Sequence, residues 1–200
     1  MNGGASTDRP RVAGAPGLLS RAKAKAGLGS WSNLLYRLDL ETITADVELP
    51  PDLTLVRSDA PMVDWPDVRS AASQSPGPGE PKDIWLNALL ADEAIGTIAA
   101  CFRRYYVREI AETVFYPEGY LFGFKVRKDL RNRGIGALLL YSMVRVISEE
   151  KGAGSVRALV DSKNVASMMV FERAGFRVVG RVDCFSVLGR TFHVRNELDR

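Results

Sequence analysis

The chain has 200 residues, of which 46% are hydrophobic, and its formal charge is +3 at pH 7. This length and composition predict one globular domain with a substantial core, and no run approaches the ~18 apolar residues needed to cross a bilayer. The two cysteines, far apart in sequence, and the single histidine lack metal-ligand spacing and form no disulfide framework. We therefore expect a cytoplasmic protein with no metal and no membrane partner.

The positive charge is concentrated at the N-terminus. Residues 1–30 contain five basic side chains and one acidic side chain, so they carry +4, and subtraction from +3 leaves −1 for residues 31–200. The first 30 residues are also rich in Gly, Ala, Ser and Pro, which predicts a disordered basic tail ahead of a single folded domain at 31–200. Because the excess charge lies in the tail and not on a folded face, we expect no nucleic-acid partner.

The first part of the chain after the tail has a pattern that predicts four strands, at 34–40, 53–58, 84–91 and 94–103. Apolar residues at 59–72 predict a short helix that Pro66 shortens or bends. A Pro- and Gly-rich loop follows at 73–81, and Asp92 with Glu93 predicts a tight turn.

The second part of the chain alternates strands and helices. Segment 104–119 fits either an extended hairpin arm or a helical insert. Helical spacing predicts helices at 134–150 and 164–176, the second ended by Gly175. The strands are predicted at 120–126 and 156–160 and in a C-terminal hairpin, at 177–187 and 191–198. This order predicts an α/β or α+β sandwich around one mixed sheet.

The loop KDLRNRGIG connects a strand that ends at Val126 to a helix, so free backbone N–H groups at the helix start can bind an anion. Gly134 and Gly136 let a phosphate approach the main chain, and Arg131 and Arg133 add charge-assisted bonds. The sequence contains no G-x-x-x-x-G-K-[ST] motif. The G-x-G-x-x-G motif is not matched either, because Leu139 stands at its third glycine. The pattern that fits is [QR]-x-x-G-x-[GA].

This pattern resembles the pyrophosphate loop of the GNAT superfamily of N-acetyltransferases. VRKDLRNRGIG is similar to the family's V-x-P-x-Y-R-x-x-G-x-G, with Lys128 and Leu130 in place of the proline and the aromatic residue. A second family motif, N-x-x-[AS]-x-x-x-[YF]-x-x-x-G-F, is matched downstream by Asn164, Ser167, Phe171, Gly175 and Phe176. The resemblance covers residues 53–198 and is strongest from 119 to 176.

The resemblance implies one GNAT-like acyltransferase domain, with a mixed, mostly antiparallel sheet that is splayed at its centre, between the strands at 120–126 and 156–160, and flanked by helices. It implies acetyl-CoA, or another acyl-CoA, as the co-substrate, with Val126 holding the thioester carbonyl. The cofactor contacts that it implies are Phe124, Lys125 and Val126 at the strand end, Arg131, Asn132, Arg133, Gly134, Ile135, Gly136 and Ala137 in the loop, and Asn164, Ser167 and Phe171 in the second motif.

The proton donor of much of this family is a tyrosine at the position of Phe171, and phenylalanine cannot donate a proton. A thiolate with a pKa near that of cysteine, about 8.5, is nevertheless a tolerable leaving group without assistance. Four other side chains are alternative donors, although packing or solvent exposure explains each of them as well: Tyr141, Ser167, Cys184 and Ser186.

The acceptor amine must lose a proton before it attacks, which calls for a base. Asp161 follows the strand at 156–160 and is one candidate, although an acid at a strand end also forms turns. Glu118 and Tyr120 border the other splayed strand and are the other candidates. Water alone is a further option.

Two functions remain open. The first is an acyl-CoA-dependent N-acyltransferase that transfers acetyl to a primary amine of a small molecule or peptide by direct attack in a ternary complex. The second is a catalytically weak sensor or scaffold that holds CoA or acyl-CoA, which the phenylalanine at 171 motivates. The acceptor cannot be read from the sequence, nor can the choice between a monomer and a homodimer.

Overall fold

The computed structural model describes residues 29–40, 50–72, 76, 79–115, 118–151, 153–188 and 190–197. Its strands are β1 (Gly29–Asp39), β2 (Leu53–Ser58), β3 (Ile84–Leu90), β4 (Glu93–Cys101), β5 (Arg104–Val107), β6 (Glu112–Phe115), β7 (Tyr120–Val126), β8 (Ser155–Asp161), β9 (Arg177–Val187) and β10 (Arg190–Glu197). Its helices are α1 (Pro66–Ala72), α2 (Ile135–Lys151) and α3 (Val165–Arg173), with 3-10 turns at Arg108–Ile110 and Lys128–Leu130.

Eight strands form one mixed sheet, in the order β10-β9-β1-β8-β7-β4-β3-β2, and β5 and β6 form a separate hairpin. Within the large sheet only β7 and β8 are parallel, and the other neighbouring pairs are antiparallel. The strand β1 pairs with β8 through residues 33–39 and with β9 through residues 29–37. The first described strand therefore lies between two strands from the C-terminal part of the chain.

The sheet separates two apolar cores, because neighbouring residues of a strand point to opposite faces. The first core lies against α2 and α3 and includes Tyr36, Leu121, Leu139, Met143 and Phe171. The second core lies on the opposite face, beneath α1 and the β5–β6 hairpin, and includes Leu35, Val68, Trp85, Ile110 and Phe122.

Local sequence explains where the helices begin and end. Helix α1 begins at Pro66, whose fixed φ and missing N–H suit the first helical position. Helix α3 is capped by Asn164, whose Oδ1 accepts a hydrogen bond from the backbone N of Ser167 at 3.2 Å. Past its C-terminal end, Gly175 has a φ of +85°, the left-handed conformation that ends many helices.

The fold class expected from the sequence is confirmed, since the sheet is mixed, mostly antiparallel, splayed between β7 and β8 and flanked by helices. The predicted strands at 53–58, 120–126 and 177–187 match β2, β7 and β9 residue for residue, and the other predicted strands and both long helices agree except at their ends.

Several boundaries differ from the expectation. Pro66 shortens the helix predicted within 59–72, as expected, and the helix starts at the proline itself, because proline begins a helix more readily than it continues one. The tight turn lies at Ala91 and Asp92, both with positive φ, one residue earlier than expected. Segment 104–119, which fitted either a hairpin arm or a helix, contains the β5–β6 hairpin.

The predicted tail boundary at residue 30 also moves. Gly29 and Ser30 pair with Ser186 and Phe185 and so belong to β1. The prediction of a disordered tail for residues 1–28 lies outside the described residues, as does most of the loop predicted at 73–81. Among the described residues, no helix combines the length and the apolar character that a membrane span needs.

Candidate active site

Strands β7 and β8 separate from each other after a short paired stretch. They pair only at Tyr120 with Arg157 and at Leu121 with Ala158, although both strands are described over their whole length. On its other side β7 stays paired with β4 as far as Val126. The edge of β7 that faces β8 is therefore open over its second half.

The backbone of Val126 points toward this open edge. The N–H of Arg127 donates to the carbonyl of Ile95 in β4 at 2.8 Å, and successive residues of a strand direct their polar backbone groups to alternate sides. The side chain of Arg131 supports this direction, since its Nε donates to the carbonyl of Val126 at 3.1 Å. The N–H of Val126 is thus available to an acceptor placed in the split.

A β-bulge lies just before this position. The register between β7 and β4 shifts between the Thr97–Lys125 and Ala99–Phe122 pairs, so one extra residue is accommodated near Gly123. Gly123 has a φ of +60°, and a Cβ added to it would lie 3.0 Å from the ring of Trp85. Glycine is required here both by conformation and by space.

The loop after β7 brings the start of α2 against the open edge. The carbonyl of Gly134 accepts the first helical hydrogen bond, from Leu138 N at 3.0 Å, so the N–H groups of residues 134–137 have no partner within the helix. Gly134 has a φ of +83°, and a Cβ added there would meet nothing within 4 Å. A Cβ on Gly136 would lie 3.3 Å from the ring of Phe124. The helix start is therefore open to solvent at Gly134 and tightly packed on β7 at Gly136.

The basic residues of the loop have different surroundings. Arg127 pairs with Glu93 at 2.6 Å and with Asp129 at 3.0 Å, and the hydrogen bonds to these carboxylates raise the pKa of its guanidinium. Arg131 and Arg133 are exposed beside the helix start. The unpaired donors, the helix dipole and these two arginines together make a site that suits a phosphate group.

Helix α3 reaches the same region through Phe171. The ring of Phe171 is 3% exposed and lies 5.8 Å from the ring of Phe124, 4.9 Å from that of Phe176 and 5.6 Å from that of Tyr36, measured between centroids. The Phe124 contact joins α3 to β7. Gly136 of the first motif and Phe171 of the second therefore both pack against the ring of Phe124.

The comparisons with known proteins agree with this geometry. A model of the acetyltransferase (GNAT) family matches residues 52–176, more than half of the chain. The chain belongs to this family. A search of the curated proteins finds no match.

Several solved structures resemble the chain as well. A Drosophila protein has a TM-score of 0.57 and 17% identity over 86% of this chain and 57% of its own. A GCN5-related N-acetyltransferase from Sphaerobacter thermophilus has a TM-score of 0.53 and 18% identity over 91% of this chain and 58% of its own. A tandem GNAT protein from the clavulanic acid biosynthesis pathway has a TM-score of 0.58 and 16% identity over 92% of this chain and 60% of its own. These likenesses show the fold, and the chain spans less than two thirds of the length of each of these proteins.

The three candidate bases of the GNAT reading lie at different ends of the split. Tyr120 is buried against the ring of Tyr105, six residues before Val126, which is roughly 20 Å along an extended strand. Glu118 precedes it and accepts a hydrogen bond from the hydroxyl of Ser155. Both are therefore at the end where β7 and β8 are still paired, far from the amide of Val126.

Asp161 is the candidate at the diverging end of β8. Its side chain is exposed, and its Oδ1 accepts a hydrogen bond from Lys163 N at 2.9 Å, as a turn-forming residue does. Position therefore favours Asp161 over the other two, although its carboxylate also has a local structural role.

The alternative proton donors are mostly engaged in packing or local bonds. The hydroxyl of Tyr141 donates to the carbonyl of Arg173 at 2.8 Å, and Ser167 lies at the cap of α3. Cys184 is buried, which raises the pKa of its thiol. Ser186, the fourth, lies in β9 opposite Thr191 and Gly29.

Two features of the site are not readable from the sequence motifs. Tyr36 of β1 is fully buried beside Phe171, and its hydroxyl donates to Glu172 Oε1 at 3.0 Å; burial and this hydrogen bond raise the pKa of Tyr36 to about 12. Lys125 was expected among the cofactor contacts, but its side chain points to the face opposite α2, where its Nζ lies 2.6 Å from Asp67 of α1. The surroundings of Tyr36 and the direction of the Lys125 side chain both depend on contacts between segments far apart in sequence, and no local sequence pattern predicts such contacts.

Proposed function

We propose that the protein is an acyl-CoA-dependent N-acyltransferase that transfers acetyl from acetyl-CoA to a primary amine by direct attack in a ternary complex. The observation that carries this proposal is the position of the α2 N-terminus against the open edge of β7. A phosphate group at the helix start and a carbonyl near Val126 would then be held by one continuous piece of backbone. Membership of the GNAT family supports the same reading.

The backbone would supply most of the binding and the polarisation. N–H groups from Arg131 to Ala137 would hold the pyrophosphate, and the open Gly134 leaves space for its approach. The N–H of Val126 would donate to the thioester oxygen, on which negative charge develops during attack. Asn164 would contact the pantetheine arm from the start of α3.

The transfer itself forms an N–C bond and breaks the C–S bond. The attacking nitrogen would lose a proton to Asp161 or to water, and CoA would leave as the thiolate. Since Phe171 provides no proton, the thiolate would take one from water after departure. A leaving group whose pKa is near 8.5 makes this route feasible, although it forgoes the ~10² to 10⁴ that general acid catalysis typically contributes.

Cofactor binding is tested by thermal melting with and without acetyl-CoA. We expect the wild type to melt at a higher temperature with acetyl-CoA, and Gly134→Asp to lose this increase, because it adds a negative charge at the phosphate site and strains a φ of +83°. Gly154→Asp is the matched control, since a Cβ there also meets nothing within 4 Å and its φ is not in the left-handed region. If acetyl-CoA leaves the melting temperature of the wild type unchanged, the proposal is overturned.

The second candidate function is a CoA-binding sensor or scaffold with little turnover, and Phe171 is the residue that favours it. The two functions separate in an assay for free CoA with a panel of amines. Steady amine-dependent release of CoA would reject the sensor. A melting shift with acetyl-CoA but no release with any amine would reject the enzyme.

A further inference from the structure

The sheet divides the surroundings of the split into two sides. The start of α2 packs on the side chains of Phe124 and Val126, so the phosphate site is on the side of the first core. Lys125 lies between these two residues and points to the other side, toward α1. If acetyl-CoA occupies the first side, an amine that attacks the carbonyl directly has to approach from the side of Lys125.

Lys125 is a cation on the side of that approach. Its Cα is about 3.8 Å from that of Val126, the spacing of neighbouring residues. Its Nζ lies 5.8 Å from the ring centre of Trp65 and 2.6 Å from Asp67 Oδ2, and its side chain is 31% exposed. The ring of Trp65 and the carboxylate of Asp67 hold the ammonium group on the side of the sheet from which the acceptor approaches.

The partner of Lys125 is easily displaced. Asp67 lies in a helix of seven residues, and 82% of its side chain is exposed. An exposed ion pair of this kind contributes little to stability, because water and salt compete for both charges. The hydrogen bond from Lys125, its charge and the charge of Arg108 lower the pKa of Asp67, so the carboxylate stays ionised.

A second observation concerns the residue opposite Lys125. Thr97 pairs with Lys125 across β4 and β7, so both side chains are on the same face. The hydroxyl of Thr97 is fully buried and has no hydrogen-bond partner among the described residues. Buried polar groups rarely lack a partner, so the packing beside Lys125 leaves one polar atom unsatisfied on this face.

We propose that the acceptor is an amine that carries a carboxylate close to its amino group, as an amino acid does, and that Lys125 binds this carboxylate in place of Asp67. The inference rests on the proposed function and names the class of its acceptor. Asp67 marks the place of the substrate carboxylate in the unliganded protein. A polyamine or aminoglycoside would instead bring further positive charge to Lys125, which repels it.

The test compares matched acceptors that differ by the carboxylate alone: ornithine with putrescine, arginine with agmatine, and tryptophan with tryptamine. We expect kcat/KM for wild type to be roughly tenfold to hundredfold higher for the better amino acids than for their decarboxylated partners, the range of one charge-assisted contact. Lys125→Met keeps the apolar stem against Trp65 and should lose the preference. Asp67→Asn removes the competing charge and should lower KM for amino acids.

Lys82→Met is the matched control, because Lys82 also forms an exposed ion pair, with Asp59 at 2.8 Å, and should leave the preference unchanged. Equal or faster acetylation of the decarboxylated amines would overturn the inference while leaving the acyltransferase intact. If no amine is acetylated at all, the proposed acyltransferase function is wrong. The carboxylate site at Lys125 is then tested by the melting temperature measured with N-acetylornithine plus CoA. A shift in wild type that is lost in Lys125→Met would support the carboxylate site, and no shift would overturn it.

Discussion

Phe171 fills the position at which the resemblance to the family implies a tyrosine, and its surroundings explain how phenylalanine fits. Three aromatic rings, from Tyr36, Phe124 and Phe176, surround it, and its own ring is almost fully buried. A phenyl ring needs no hydrogen-bond partner in such a place, whereas a buried hydroxyl without one costs about 1 to 3 kcal/mol. Packing is therefore favoured here at the expense of proton donation.

The balance between packing and proton donation at this position predicts how Phe171→Tyr changes kcat and stability. The added hydroxyl would supply the missing proton donor, so we expect kcat to rise by roughly tenfold or more, within the range of general acid catalysis, and the melting temperature to fall. Phe176→Tyr is the control, because Phe176 is in the same aromatic cluster and should lose stability without a gain in kcat. If Phe171→Tyr folds and kcat does not rise, thiolate departure does not limit the reaction.

At the scale of elements, β1 holds the two halves of the sheet together. It is hydrogen-bonded to β8 on one side and β9 on the other, and it buries Leu35 in the second core and Tyr36 and Leu38 in the first. The GNAT family match begins at residue 52 and does not include it. The C-terminal hairpin thus connects to the rest of the sheet only through a strand from the other end of the described chain.

Removal of β1 should therefore unfold the domain. Burial of three large apolar side chains is worth about 1.5 to 3 kcal/mol each, which approaches the 5 to 15 kcal/mol of a typical domain before any backbone bonds are counted. We expect a chain of residues 41–200 to show no cooperative melting by circular dichroism. Deletion of residues 1–28 alone is the control and should leave the melting temperature unchanged. Cooperative melting of 41–200 near the wild-type temperature would contradict the role given to β1.

At the scale of the whole molecule, the reactivity of the two cysteines shows whether the second core stays closed. Cys101 and Cys184 are buried there, and burial raises the pKa of the Cys101 thiol from 9.0 to about 12. Because the folded pKa is above the unfolded value, the contribution of this thiol to stability is complete below pH 9 and is lost as the pH rises from 9 toward 12.

We therefore expect a thiol reagent at pH 8 to modify neither cysteine until the domain unfolds. The free energy of unfolding, measured with denaturant, should fall as the pH rises above 9. The decline should be shallower in Cys101→Ala but still present, since Tyr36, with a pKa of about 12, contributes above pH 10. Rapid labelling of Cys101 in the folded protein would show that the second core opens locally.

Local chemistry explains what could be predicted from the sequence. The loop from Arg131 to Gly136 and the cap at Asn164 have their positions set by neighbours within a few residues, and an aromatic-rich run marks β7. The neighbour of β1 could not be predicted, because strand pairing over more than 100 residues leaves no local pattern. For the same reason the Lys125–Asp67 pair, 58 residues apart, was not expected.

The place of β1 also sets an order of events during synthesis. The strand ends at Asp39, but its second partner is complete only at Val187. A ribosome that adds about 5 to 20 residues per second needs roughly 7 to 30 s to cover that interval. Until β8 ends at Asp161 the strand has no native partner on the nascent chain, and until β9 is complete one of its edges stays unpaired, so its apolar side chains are exposed to chaperones for most of that time.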